Sequence, residues 1–152
     1  MKIAHVVATF PPDIGGMGQV AADEARELAR RGHDVTVFAL SFPLSHYDDS
    51  AAPFKIIRSR PLIPGGAAGW VPTWRKKFTG FDLIHLHYPF YGGAESVWMN
   101  KDSVPYIITY HMDARPTALF KKPIKLVYDR FLAPRIFSKA KRVIMVDNNP
   151  PK

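Results

Sequence analysis

Two histidines that share one face of a strand are the first residues in this chain that could do chemistry. His85 and His87 are two positions apart in the apolar run 81–87, and alternate side chains of a strand point to the same side. This spacing can bind a metal ion, but no third ligand is evident in the sequence, so we predict neither a metal site nor a cofactor. We expect His85 to be buried and hydrogen-bonded, and His87 to lie near the carboxyl end of the strand and to contact substrate.

Another histidine directly follows the apolar run 105–110. His111 begins the loop after that run, and Asp113 lies two residues further on. A histidine in such a loop can donate a hydrogen bond to a substrate hydroxyl or phosphate, or transfer a proton. The alternative for a single loop histidine is an ordinary surface residue. His5, by contrast, lies within the first apolar run, which predicts a place in the core.

Three glycines in the run 15–18 (GGMG) separate the first apolar run from an amphipathic stretch. Backbone N–H groups at a helix start attract phosphate or sugar oxygens, and glycine lets a ligand come close. A turn that needs positive φ would explain one or two of these glycines instead. Gly16, Gly18 and Ala21 also fit the dinucleotide pattern G-x-G-x-x-A, but Gly16 lies seven residues beyond Thr9 and no acidic residue ends the next apolar run. We therefore do not predict NAD or FAD binding.

The elements that position these residues alternate between apolar runs and amphipathic stretches, which predicts an α/β fold with a mostly parallel sheet and helices on both faces. The apolar runs predict six strands, over 2–9, 34–40, 55–60, 81–87, 105–110 and 142–146. The other stretches predict a helix from residue 17 that ends at Gly32, short helices over 73–78 and from 92 to 100, a helix over 118–140 broken at Pro123 and Pro134, and a loop over 61–72.

The usual order of six such strands is 3-2-1-4-5-6, in which the first and fourth strands are neighbours and the chain leaves them in opposite directions. Ligands bind outside the carboxyl ends of the strands at that point. The loops 10–18 and 88–93 follow these two strands, and the loop 111–115 lies beside them. The fold alone therefore predicts a site between these three loops.

The composition excludes several classes of protein. A chain of 152 residues is long enough for one domain with its own core and too short for two. Without cysteine there can be no disulfide, thiolate metal site or cysteine nucleophile, which favours the cytoplasm. No apolar run approaches the roughly 20 residues that cross a bilayer.

Positive charge is concentrated towards the end of the sequence. The net charge is +8, and residues 111–152 hold ten basic and three acidic side chains. This asymmetry indicates an anionic partner, and a solvated basic helix face is the alternative. We predict that Lys121, Lys122 and Lys125 contact an anionic lipid or acceptor, which would place the protein at the inner face of the membrane as a peripheral protein.

Three stretches together resemble the N-terminal domain of the retaining nucleotide-sugar glycosyltransferases of the GT-B fold, family 4. They are HVVATFPPDIGGMGQVAADEARELARRGHDVTVFAL, FDLIHLHYPFYGG and YIITYHMDA. The resemblance covers residues 1–146 and implies a Rossmann-like three-layer domain. It implies that Gly15 and Gly16 lie against the donor phosphates or the acceptor, and that His111 reaches the transferred sugar. Asp113 matches a recurrent family position and is the second predicted catalytic residue.

Met17 and Tyr88 adjoin these residues and are further predicted substrate contacts. The resemblance implies transfer of a hexosyl group from a nucleotide diphosphate sugar to a sugar or lipid acceptor, with retention. In this family a second domain carries a Glu-x7-Glu motif and binds most of the donor. We expect that domain to be absent from the chain, the chain alone to be inactive, and residues 147–152 to be disordered.

Two other classes of protein stay open at this stage. One is a flavodoxin-like module that binds a nucleotide or an anion without catalysis. The other is a nucleic-acid binder, supported by the basic charge of residues 111–152. The aromatic residues form no stacking motif there, so we predict no nucleic-acid partner.

Overall fold

Six parallel strands form one continuous sheet in the computed structural model, which describes residues 1–42, 46–65, 68–100, 102–111 and 126–146. The strands follow the order β3-β2-β1-β6-β7-β8. They are β1 Lys2–Val6, β2 Asp34–Leu40, β3 Lys55–Ser59, β6 Leu83–Tyr88, β7 Tyr106–Tyr110 and β8 Arg142–Met145. Numbered within this sheet alone, the order is 3-2-1-4-5-6, which confirms the predicted topology and the α/β fold class.

Helices connect these strands. They are α1 Gly16–Arg30, α2 Trp74–Lys77, α3 Gly93–Trp98 and α4 Ala133–Lys139, and a π-helical turn, Tyr128–Leu132, precedes α4. Helix α1 ends as predicted, because Gly32 has a φ of +86° and donates its N–H to the Ala29 carbonyl. Contrary to the prediction, the helix is not broken at Pro134, because helical backbone continues from the π turn into α4; only the type of helix changes beside this proline. Pro123 lies outside the described residues.

One element differs from the prediction. Residues 61–72, predicted as a loop, contain a two-stranded antiparallel sheet formed by β4 (Ile63–Gly65) and β5 (Ala68–Trp70). Its backbone rests on the start of α3, where the N–H of Gly69 donates to the carbonyl of Tyr91 over 2.9 Å. The prediction of a loop was wrong because strands of three residues are too short to show an alternating pattern.

Two hydrophobic cores cover the two faces of the sheet. The larger one is built on buried aromatic rings, among them Phe38, Trp74 and Phe78. The smaller one lies under α1 and consists of alanines and valines of α1 and β2, together with Val7 and Phe10, which follow β1. On the face of the sheet that α1 covers, the buried histidines 5, 85 and 87 lie at the centre. Polar groups therefore interrupt a layer that is otherwise apolar.

The end of β1 carries the chain into the predicted site. The strand ends at Val6, three residues before the predicted end, but the N–H of Val7 still donates to the carbonyl of Phe38. The N–H of Leu40 likewise donates to the carbonyl of Ala8. Pairing with β2 therefore holds the chain in place as far as Ala8. No helix within the described ranges is long and apolar enough to cross a membrane.

Candidate active site

Three imidazole rings form a hydrogen-bonded chain from the middle of the sheet to its carboxyl edge. Nδ1 of His5 lies 3.0 Å from Nε2 of His87, and Nδ1 of His87 lies 3.0 Å from Nε2 of His111. The rings of His5 and His87 are completely buried, whereas His111 is half-buried at the end of β7. The chain therefore links a buried histidine to the surface at the predicted ligand site.

The parallel register of the strands brings these rings together. In β1 and β6, His5 lies opposite His85, and in β6 and β7, His87 lies opposite Thr109. Alternate residues of a strand face the same side, so the rings stack on one another, with centroids of His85 and His87 4.5 Å apart. The backbone N–H of His111 donates to the carbonyl of Tyr88, which holds His111 beside the end of β6.

A carboxylate from α1 completes this group. Oε2 of Glu24 lies 3.5 Å from Nδ1 of His85 and 3.7 Å from Nε2 of His87. Oε2 is buried and has no hydrogen-bond partner among the described residues. His85 is buried, as predicted, and its Nε2 lies 2.7 Å from the Thr109 hydroxyl. His5 also lies in the core, as predicted, although its position beside His87 was not foreseen.

Burial keeps these imidazoles neutral. It lowers the pKa of His5 to about 3 and that of His85 to about 4, with repulsion between neighbouring imidazolium charges adding to the effect. The pKa of His87 is lowered well below the usual value for the same reasons. Burial also lowers the pKa of His111 and raises that of Glu24. At neutral pH the rings can donate or accept hydrogen bonds, or bind a metal, but they supply no positive charge.

The glycine run at the start of α1 has a structural role that differs from the predicted turn. None of the glycines at positions 15, 16 and 18 has a φ in the positive, left-handed region. Among the described residues, the glycines with such a φ are Gly32, Gly80 and Gly92. A Cβ at Gly18 would lie 2.4 Å from the carbonyl oxygen of Thr9, and a Cβ at Gly15 would lie 2.7 Å from the Thr9 hydroxyl. A Cβ at Gly16 would meet nothing within 4 Å. Close packing of α1 on the end of β1 therefore explains two glycines, and Gly16 faces open space.

Two predicted contacts take part in packing. Met17 is partly buried and packs against both cores. Tyr88 is 4% exposed, stacks on Tyr110 and meets the edge of Phe137. Neither side chain offers much surface to a ligand.

An arginine that the sequence analysis did not single out fixes the loop before α1. The Arg58 side chain is 8% exposed and donates to both carboxylate oxygens of Asp49, over 2.8 and 2.9 Å. It also donates to the carbonyl oxygens of Phe10 and Pro11, and its guanidinium lies 3.9 Å from the centre of the Tyr47 ring. The only sequence signal is an arginine near the carboxyl end of a strand, which is too common to be informative.

A cavity of about 380 Å³ lies between the small sheet and α3, next to the carboxyl end of β6. Trp70, Tyr91 and Glu95 line it. The N–H of Gly92 donates to the Glu95 carboxylate over 2.6 Å, and burial raises the pKa of Glu95. The cavity therefore combines aromatic surface with a polar group, as binding sites for small molecules do.

The remaining predicted site residues lie outside the described part of the chain. They are Asp113, Lys121, Lys122 and Lys125. The predicted disorder of residues 147–152 also concerns residues that are not described.

Comparison with known proteins identifies the family. Residues 14–149 match the sequence model of Glycosyltransferase Family 4. The chain belongs to this family. No curated protein matches the sequence.

The fold of this family 4 domain is also found in a solved glycosyltransferase. The similar structure is an alpha-glucosyltransferase in complex with UDP and a 13-mer DNA containing a central A:G mismatch. The TM-score is 0.57 at 13% sequence identity, and the match covers 99% of this chain but 38% of that chain. The resemblance to the N-terminal domain of family 4 enzymes and the Rossmann-like α/β fold are thereby confirmed, and glycosyl transfer is the general chemistry of the family.

Proposed function

We propose that this family 4 domain forms the acceptor side of a glycosyltransferase that transfers a hexosyl group from a nucleotide diphosphate sugar to a sugar or lipid acceptor. The observation that carries the proposal is the position of His111. It is half-buried at the carboxyl edge of the sheet, and a buried histidine of the neighbouring strand holds its ring. That edge is where ligands bind in open α/β sheets.

His111 contacts the transferred sugar in this proposal. One ring nitrogen, Nε2, is within hydrogen-bond distance of His87, so Nδ1 is the atom left to meet a ligand. Because burial lowers the pKa of His111, the ring is neutral at pH 7 and forms a hydrogen bond with a hydroxyl rather than an ion pair. The histidine positions the sugar and stabilises the transition state through that bond.

The start of α1 receives an anionic or hydroxyl oxygen of the substrates. No side chain within the described ranges caps this helix, and its first turn holds no acidic residue. The first backbone N–H groups of a helix lack partners within the helix and lie at the positive end of its dipole. The open space at Gly16 lets a ligand approach them. This supports the predicted roles of Gly15 and Gly16 near the donor phosphates or the acceptor.

We infer that retention proceeds without a covalent intermediate. Two carboxylates among the described residues support this inference because both are hydrogen-bonded: Asp13 accepts a hydrogen bond from the Tyr47 hydroxyl, and Glu95 accepts one from the Gly92 N–H. We infer that catalysis rests on positioning and on stabilisation of the leaving diphosphate. The cavity lined by Trp70 and Tyr91 is the candidate site for the acceptor.

A second domain supplies most of the donor site in this proposal. The chain spans 38% of the length of the similar glucosyltransferase, which was solved with UDP. We call this chain, joined to a donor-binding domain, the parent protein. We expect the parent protein to be an enzyme of the cytoplasm, and the 152-residue chain alone to be inactive.

The test is a transfer assay with the parent protein, a panel of nucleotide diphosphate sugars, and sugar and lipid acceptors. We expect release of nucleoside diphosphate that depends on the acceptor, and a product whose anomeric configuration by NMR equals that of the donor. An inverted product would contradict the retaining mechanism. Robust transfer by the isolated chain would contradict the division of the site between two domains.

A module that binds a nucleotide or anion without catalysis is the second candidate, and the uncapped start of α1 favours it. Calorimetry separates the two proposals. Tight binding of a nucleotide by the isolated chain, combined with no transfer by the parent protein, would support the module.

A further inference from the structure

We propose that the side chains of His5, Glu24, His85 and His87 bind one divalent transition-metal ion of borderline softness, with zinc as the reference case. The sequence showed only two of these ligands, because the third and fourth come from β1 and α1. All four residues offer a ligand atom, and these atoms lie within 4.8 Å of one another. Binding of this ion does not require the glycosyl transfer proposed above, and only its effect on His111 rests on that function.

The two distances from the Glu24 oxygen fit a shared ion better than they fit direct hydrogen bonds, whereas the distance between His5 and His87 fits either. Two ligand atoms on a tetrahedral zinc with bonds of about 2.0 Å are about 3.3 Å apart. The Glu24 oxygen lies 3.5 Å from His85 Nδ1 and 3.7 Å from His87 Nε2, and His5 Nδ1 lies 3.0 Å from His87 Nε2. Contacts of 3.5 and 3.7 Å are too long for good hydrogen bonds, yet close to the spacing of two ligands on one ion.

In His85 and His87, the ring nitrogen that faces away from Glu24 already has a hydrogen-bond partner, as a histidine that binds a metal requires. A histidine ligand commonly donates its other ring N–H to a neighbouring acceptor, which fixes the ring. Nε2 of His85 lies 2.7 Å from the Thr109 hydroxyl, so Nδ1 faces Glu24. Nδ1 of His87 lies 3.0 Å from His111, so Nε2 faces the same point. Nδ1 of His85 and Nε2 of His87 therefore both face the carboxylate, and Nε2 of His87 also faces Nδ1 of His5.

One oxygen of the Glu24 carboxylate has no hydrogen-bond partner in the part of the chain that the structure describes. Oε2 of Glu24 is buried without a hydrogen bond, and so is Nε2 of His5. A buried polar atom without a partner destabilises the folded protein, so such atoms in a native structure require an explanation. A metal ion between the histidines would satisfy the Glu24 oxygen and offset the charge of its carboxylate.

An entry route leads to the cluster from the surface. A cavity of about 500 Å³ lies between α1 and the amino-terminal ends of β1, β6 and β7. Its lining is mostly apolar, and Glu24 and His85 form part of the wall. An ion can therefore reach two of its four ligands from solvent, while His5 and His87 lie deeper.

The chemistry of the ligands selects the metal. Three neutral imidazoles and one carboxylate suit zinc, cobalt, nickel or copper, whereas magnesium and calcium require oxygen ligands. Binding at Nε2 of His87 would leave the ring proton on Nδ1, which then donates to Nε2 of His111. Nδ1 of His111 would carry its own proton towards the substrate. The ion would thus act as a positioning group for His111.

Metal binding by the 152-residue chain tests the proposal directly. After dialysis against a chelator, the chain is titrated with Zn²⁺ against a chromophoric competitor and with Co²⁺ by visible absorption. We expect one ion per chain, a Co²⁺ spectrum typical of four-coordinate nitrogen and oxygen ligation, and a higher Tm with Zn²⁺. Glu24→Gln, which preserves the size of the side chain, should weaken Zn²⁺ binding at least about tenfold.

Two matched variants serve as controls. Asp34→Asn removes an exposed carboxylate at the start of β2, and His46→Ala removes an exposed histidine. Both should bind Zn²⁺ as the wild type does. Histidine ¹⁵N spectra of the wild type should show Zn²⁺ shifting the signals of His5, His85 and His87 and leaving His46 unchanged, a result that needs no variant to fold. The absence of binding at micromolar Zn²⁺, or equal binding by the wild type and Glu24→Gln, would overturn the proposal.

Discussion

Nδ1 of His87 lies 3.0 Å from Nε2 of His111, so a completely buried residue of the central sheet holds the half-buried ring at its carboxyl edge. The predicted substrate contact at His87 takes a different form in the structure. The His87 ring has no surface of its own, and it reaches the site only through His111. His87 is therefore a positioning residue in the proposed function, and its effect should depend on the presence of His111.

A double-mutant cycle tests this dependence. His87→Phe preserves a buried ring and removes its hydrogen bonds, so we expect kcat/KM of the parent protein to fall about tenfold to a hundredfold. In a His111→Ala background the same change should have almost no further effect, because the group it positions is gone. An equal loss in both backgrounds would show that His87 supports only the fold.

Alanine substitutions at Gly16 and Gly18, at the start of α1, should have different effects on the free energy of unfolding. Gly18→Ala places a Cβ 2.4 Å from the Thr9 carbonyl oxygen and should lower the free energy of unfolding by about 1–3 kcal/mol. Gly16→Ala meets nothing within 4 Å and should leave stability unchanged or slightly higher, while weakening substrate binding in the parent protein. Denaturant unfolding and KM values check the pair. Equal stability losses would contradict the packing argument.

The sequence predicted the sheet well because its four central strands, β2, β1, β6 and β7, are largely buried on both faces. A buried parallel strand is a continuous apolar run, and such runs stand out at 34–40 and 105–110. The order of the strands followed from the usual topology of the fold. The strands of the small sheet at 63–70 have three residues each, and no pattern of that length separates a strand from a loop.

The candidate site was predicted less completely, because its residues meet only through tertiary structure. His5 was assigned to the core, and its register opposite His85 was unknown without the pairing of β1 with β6. Glu24 had a usable signal. It lies three residues after Ala21 and one before Ala25, on the buried stripe of α1. A carboxylate on such a stripe requires a buried partner, which could have pointed to the histidines.

Removal of the Arg58 guanidinium should destabilise the domain. Arg58→Ala leaves the carboxylate of Asp49 and two carbonyl oxygens without their partner, so we expect the free energy of unfolding to fall by about 3 kcal/mol. Arg26→Ala is the matched control, because its ion pair with Asp23 is exposed and should contribute less than about 1 kcal/mol. Thermal and denaturant unfolding measure both. Similar effects of the two changes would contradict the role of Arg58 in fixing the loop before α1.

We predict that residues 111–152, which carry most of the excess positive charge, bind anionic membranes through their lysines. Changing Lys121, Lys122 and Lys125 together to Gln should reduce co-sedimentation with anionic vesicles at low salt by about tenfold or more, since each lysine contributes up to about 1 kcal/mol. Binding should weaken as salt is raised, because the Debye length falls to about 8 Å at physiological ionic strength.

The control for this experiment carries the same change in charge. Lys55, Lys76 and Lys77 are exposed on β3 and α2, and replacing them together with Gln should leave vesicle binding almost unchanged. Equal losses in the two triple variants would indicate general electrostatic attraction. Neutral vesicles should bind neither the wild type nor the variants.

The rate of sugar transfer by the parent protein with His111→Ala is the most direct test of the proposed function. With the nucleotide sugar and acceptor that the wild type uses, we predict that kcat/KM falls about tenfold to a thousandfold, through loss of a hydrogen bond made at the transition state. His46→Ala, an exposed histidine elsewhere in the domain, should transfer sugar at the wild-type rate. Wild-type kinetics in the folded His111→Ala protein would contradict the account.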